Sequence, residues 1–149
     1  MTRRAAGTGT TFVREVPDPP WTPTVLLLRG WVASAGLSWF RAFADLSRHF
    51  RVIAPDLRGH GRGIGSWQPF RLAGCAGDAA ALVVALSADA AVAVGYSVGG
   101  LLAQLLCRRH REVVEGLVLY ATAPSFVKGA PGRLFPTSAD QGRGVRATR

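Results

Sequence analysis

The chain has 149 residues, 48% of them hydrophobic and 18% charged, which is enough chain for a buried core and too apolar for a disordered one. Its formal net charge of +9 is carried by arginine, Lys128 being the only lysine, and Lys128, Arg133, Arg143, Arg146 and Arg149 stand against Asp140 alone at the end. No basic stripe is interleaved with aromatic residues and no stretch reaches the roughly 18 apolar residues of a membrane span, which excludes specific nucleic-acid recognition and membrane insertion as readings.

Met1 to Thr11 carries Arg3 and Arg4 without an apolar stretch behind them, so it is not read as a secretory leader. Thr10 to Val16 alternates and predicts an edge strand, ended by Pro17-Asp18-Pro19-Pro20. Thr24 to Leu28 is a short apolar run bounded by turns, the pattern of a strand covered on both faces. After a Gly- and Ser-containing loop from Gly30 to Gly36, Phe40, Phe43, Leu46 and Phe50 recur near helical spacing over Ser38 to Phe50. Arg51 to Pro55 predicts a second buried strand, Asp56 to Gly65 a loop with four glycines, and Phe70 to Leu86 an alanine-rich helix. Ala90 to Val94 is a third buried strand, followed by a helix to about Arg109, and Glu115 to Ala121 is a fourth strand. Buried strands alternating with helices predict an α/β fold with a doubly wound, mostly parallel sheet.

The character changes after Ala123. Residues 124–149 hold Gly, Pro and Arg without periodicity and are expected as a loop or disordered tail behind a unit spanning 1–123, with the sheet's last strand exposed on its edge. Cys75 and Cys107 stand apart in helix-like runs, with neither metal-ligand spacing nor a disulfide framework, so a reducing, cytoplasmic setting with no metal and no cofactor is expected. The densest basic cluster, Arg108-Arg109-His110-Arg111, falls at a helix end, where cations complement the helix dipole.

The chemistry concentrates at Gly95-Tyr96-Ser97-Val98-Gly99, between the third strand and its helix. Gly-x-Ser-x-Gly in that setting is a nucleophile elbow, a sharp turn that lifts a serine hydroxyl above the sheet edge. Gly95 and Gly99 leave room for the close crossing of strand and helix, and the first N–H of the helix faces the place where an oxyanion forms.

The order of landmarks resembles the α/β-hydrolase superfamily over about Thr11 to Ala123, nearest to its small bacterial esterase, lactonase and perhydrolase-like members. Val25 to Trp31 (VLLLRGW) is similar to the strand and oxyanion turn usually written with His-Gly at its end. Val52 to Gly63 (VIAPDLRGHGRG) looks like the strand and Asp-x-x-Gly-x-Gly loop, Val92 to Leu106 the elbow and its helix, and Val113 to Ala123 the strand after it. The resemblance implies a serine hydrolase acting on a small carboxylic ester or related acyl substrate. It makes Ser97 the nucleophile and the backbone N–H groups of Trp31 and Val98 the oxyanion hole. Arg29 stands where the family usually has histidine, and a charged side chain there is expected to reach solvent or find a carboxylate.

The superfamily's triad runs in chain order Ser, Asp/Glu, His. After Ser97 the only histidine is His110, about 20 Å along the helix at 1.5 Å per residue, out of reach of the serine. His60 is read as structural before catalytic, His49 as a surface or packing residue, and Asp56 as the organiser of its own loop. Asp140 is given no catalytic role. The triad acid and histidine are therefore expected to be missing from this chain. Trp31, Trp39, Trp67 and Phe70 are read as packing residues before acyl-pocket walls. The alternative is a truncated, non-catalytic hydrolase fold binding a small ligand or protein, with the exposed sheet edge available to an oligomer or a complementing chain. A dinucleotide-binding domain is set aside, because Gly95 to Gly100 lacks Gly-x-Gly-x-x-Gly spacing.

Overall fold

The computed structural model describes residues 2–5, 9–16, 22–30, 35–65 and 69–122. Trp31, Trp67, Asp140 and the 124–149 tail lie outside the described residues. Among the described residues six strands, β1 (Thr2–Ala5), β2 (Gly9–Val16), β3 (Thr24–Leu28), β4 (Arg51–Pro55), β5 (Ala91–Tyr96) and β6 (Val114–Tyr120), form one sheet in the order β1-β2-β4-β3-β5-β6. Among the described residues three α-helices, α1 (Ala35–Leu46), α2 (Leu72–Ala85) and α3 (Val98–Arg109), connect the later strands.

β3 to β6 are mutually parallel where they pair, and β2 runs antiparallel to both β1 and β4. The expected parallel, doubly wound core is present. One expectation fails: β2 is not an edge strand, because β1 covers its outer side with Thr2 paired to Phe12 and Ala5 to Gly9. Two arginines in four residues hide β1 from an apolar-pattern reading.

Strand alternation divides the core into two layers. On one face Leu26, Leu28 and Ile53 pack with Cys75, Leu82 and Val83 of α2 and Leu102, Leu105 and Leu106 of α3. On the other, Val25, Leu27, Val52 and Ala54 meet Trp39, Phe43 and Leu46 of α1. All five residues of β3 are buried, as a central parallel strand requires. At the far edge the cover ends: Leu117, Val118, Leu119 and Tyr120 of β6 are all exposed, on both faces of the strand.

α1 begins at Ala35, three residues before the spacing of its aromatic residues suggested. The reason is a cap from a distant element: Oδ1 of Asp56 accepts the N–H of Ala35 at 2.8 Å. Oδ2 of the same carboxylate accepts the N–H of Arg62 at 3.0 Å, so Asp56 organises its own loop as expected and holds the start of α1 as well. The loop is tied to α2 by Arg58, whose Nε and Nη2 donate to the two carboxylate oxygens of Asp78 at 2.8 and 2.7 Å.

Candidate functional site

β5 delivers the chain to the carboxyl end of the sheet at Tyr96, and α3 starts at Val98. Ser97 alone makes the corner, with φ 55° and ψ −122°, a conformation that costs an L residue on the order of 1–3 kcal/mol. Three contacts hold it there. The Ser97 N–H donates to the carbonyl of Tyr120 at 3.0 Å, and the Ser97 carbonyl accepts the N–H of Gly100 at 2.9 Å. The third is the closeness of strand and helix. A Cβ on Gly95 would strike the backbone of Gly99 and Gly100, and one on Gly99 would strike the carbonyls of Leu28 and Arg29. Both positions are therefore closed to any side chain.

The Ser97 side chain is half-buried, and Val98 behind it is buried. The N–H groups of Val98 and Gly99, ahead of the Gly100 bond, have no carbonyl one turn earlier in the helix to bond, and the positive end of the helix dipole adds to their pull on a negative atom. Gly30, at the end of β3, borders the same corner: a Cβ there would come 3.3 Å from the Cβ of Ser97 and 3.1 Å from the Tyr96 ring. Aromatic rings flank the corner. Tyr96 stacks on Tyr120 with centroids 5.5 Å apart, and Trp39 meets Tyr96 edge-on at 6.3 Å. Trp39 also packs into the α1 layer and Phe70 into the opposite one, in keeping with their reading as packing residues.

His60 has Nδ1 3.1 Å from the carbonyl of Arg58 and its ring edge-on to Phe70. His110 ends α3, its Nδ1 3.7 Å from Glu112. Among the described residues, no three His, Cys, Asp or Glu side chains converge to hold a metal ion, and no helix is long and apolar enough to cross a membrane.

Arg29 departs from expectation. Among the described residues it neither reaches solvent nor bonds a carboxylate: it is 1% exposed, and its Nη1 donates to the carbonyl of Gly30 at 2.9 Å. Its Nε and Nη2 are buried without a hydrogen-bond partner among the described residues. Burial lowers its pKa, against the pull of the nearby Asp56 carboxylate. β3 is central and covered on both faces, so a side chain at its end meets protein before water. The sequence showed the substitution of histidine by arginine but not this outcome. Tyr120 was also missed as a partner of Ser97, since only strand register joins residues so far apart in the chain.

Comparison with known proteins fits this architecture. The sequence profile of the family described as alpha/beta hydrolase fold matches residues 23–146. Pimeloyl-(acyl-carrier protein) methyl ester esterase of Nitrosospira multiformis is 37% identical over 108 residues, covering 71% of this chain and 41% of that protein. The enol-lactonase from Burkholderia xenovorans superposes with a TM-score of 0.76 at 29% identity, over 83% of this chain and 47% of that one. A thermophilic esterase from Thermogutta terrifontis gives 0.75 at 26% identity, over 87% and 47%. The chain thus spans about two fifths of the curated relative and just under half of the two solved structures. By the profile match and the shared sheet, the chain belongs to the alpha/beta hydrolase fold family.

Proposed function

We propose that Ser97 is the nucleophile of a serine hydrolase acting on a small carboxylic ester or related acyl substrate. The observation that carries this reading is the backbone of Ser97 itself, held at φ 55° between the end of β5 and the first turn of α3. The hydroxyl oxygen attacks the acyl carbonyl, and the N–H groups of Val98 and Trp31 stabilise the resulting oxyanion. Collapse expels the alcohol and leaves an acyl-serine, which water hydrolyses. Relatives named as esterases and a lactonase support the substrate class.

The general base and its acid are assigned to polypeptide outside these 149 residues, because His110 caps the end of α3 remote from Ser97 and His60 sits within the 56–65 loop with Nδ1 against the Arg58 carbonyl. Hydrolases that lose a triad member keep a residual acceleration of about 10³–10⁴ over water from the oxyanion hole and binding. The chain is therefore expected to react slowly at Ser97. The free thiols of Cys75 and Cys107 support a reducing, cytoplasmic setting.

Labelling with a fluorophosphonate, Ser97→Ala serving as control, tests the reading. Slow labelling that vanishes in the alanine variant is expected. Label retained by the variant, or none on the folded native chain, overturns it. The exposed apolar strand β6 favours a second reading, a non-catalytic binding module that pairs through this edge. That reading requires a stable oligomer and no reaction at Ser97.

A further inference from the structure

We propose that Thr122 is a positioning residue for the nucleophile corner, its side chain wedged on Gly100 so that the first turn of α3, and with it the Val98 N–H, is held in place beside Ser97. The inference rests on the reading of Ser97 as nucleophile and adds a residue from beyond the end of β6 that this reading does not itself name.

The first turn of α3 is held between two strand ends. On one side Gly99 sits on the carbonyls of Leu28 and Arg29 at the end of β3. On the other, a Cβ on Gly100 would strike Cβ, Oγ1 and Cγ2 of Thr122, so the whole threonine side chain lies on the bare Cα of that glycine. Successive helix residues point about 100° apart, so the two glycines meet different neighbours and the turn is blocked in both directions. Gly100 also donates its N–H to the Ser97 carbonyl at 2.9 Å. A shift of Gly100 therefore reaches the corner through a single hydrogen bond. The Val98 N–H, which the proposed function uses as an oxyanion donor, takes its direction from the same turn, and such a donor must be held to within about 0.5 Å.

Thr122 reaches Gly100 because the chain leaves the line of β6. Tyr120 ends the strand and accepts the Ser97 N–H at 3.0 Å, after which Ala121 takes φ 47°, a left-handed conformation that costs a residue with a Cβ. Tyr120 thus holds the N–H of Ser97, and Thr122 holds the turn that bonds its carbonyl, with the strained alanine between them. Threonine suits a wedge because two heavy atoms on Cβ leave χ1 little freedom. Its hydroxyl does not explain the choice: Oγ1 is buried without a hydrogen-bond partner among the described residues, a cost that valine of the same shape avoids. What the corner uses is the shape of the side chain.

The test compares fluorophosphonate labelling of the 149-residue chain with that of Thr122→Ala, Thr122→Val and Thr122→Ser, each at a temperature where its thermal unfolding curve shows it folded. Thr122→Ala takes Oγ1 and Cγ2 off Gly100 and is expected to slow labelling at saturating probe about tenfold, with the half-saturating probe concentration unchanged. Thr122→Val keeps the wedge and is expected to label at the native rate, with Tm equal to or above the native value. Thr122→Ser keeps the hydroxyl without Cγ2 and is expected to fall between the native and alanine rates. A merely structural threonine gives a lowered Tm and a native rate in folded Thr122→Ala, which overturns the proposal. A slowed rate in folded Thr122→Val also overturns it, since the role then belongs to the hydroxyl. Should the alanine variant not fold, a native rate in Thr122→Ser overturns it instead. A native chain that does not label overturns the reading of Ser97 and this inference with it, whereas alanine and serine variants that label at native rates overturn this inference alone.

Discussion

The main-chain N–H of Ser97 donates to the carbonyl of Tyr120 across 3.0 Å, so the last strand of the sheet pins the corner that φ 55° makes unfavourable. Glycine tolerates that backbone at no steric cost. Ser97→Gly is expected to stabilise the chain by about 1 kcal/mol, whereas Ser97→Ala, which retains a Cβ, leaves stability near the native value. Urea unfolding midpoints of the three proteins separate these outcomes.

Two Gly→Ala substitutions in helices have opposite expected signs. A Cβ at Gly77 of α2 meets nothing within 4 Å, so Gly77→Ala is expected to add about 0.5–1 kcal/mol through helix propensity. At Gly99 the same methyl meets the carbonyl oxygens of Leu28 and Arg29, and overpacking against backbone costs about 3 kcal/mol or more. Paired denaturation curves check both, and the loss at Gly99 should be accompanied by loss of probe labelling.

Arg58 and Asp78 form a bidentate pair with side-chain exposures of only 18% and 11%. The bond to Asp78 raises the Arg58 pKa. Removing one partner strands the other, so Asp78→Asn or Arg58→Met should each cost about 3 kcal/mol. The double substitution should cost less than the sum of the two, and a double-mutant cycle in urea measures the difference.

Burial, reinforced by Asp78, pushes the Cys75 thiol up from 9.0 to about 11. The unfolded chain then loses this proton first as pH rises. Stability from this group is whole below pH 9 and is lost progressively as pH climbs through about 11, a contribution of about 2–3 kcal/mol. Native stability should therefore fall more steeply than that of Cys75→Ala between pH 9 and pH 11, which denaturation at stepped pH records.

Local pattern carried most of the fold. Thr24–Leu28 and Arg51–Pro55 were readable to the residue because strands buried on both faces are uninterrupted apolar runs between turns. The end of α3 at Arg109 was readable from its basic last turn. What escaped was decided by partners remote in sequence: β1, which is defined only by its pairing with β2, and the start of α1, which is set by a carboxylate 21 residues away. The candidate site divides the same way. The turn from Gly95 to Gly99 is one contiguous stretch and its strand–turn–helix setting was readable locally, whereas the enclosure of Arg29 depends on what packs over the end of β3.

Asp56 has a consequence for motion. Because one carboxylate receives the N–H groups of both Ala35 and Arg62, the start of α1 and the turn of the 56–65 loop share a single latch. Neither segment can fray without loosening the other, so the two form one cooperative unit of local opening. Amide exchange at Ala35 and Arg62 should proceed at matched rates in the native chain and accelerate together in Asp56→Ala. Two segments far apart in sequence thus open as a single event at the carboxyl end of the sheet.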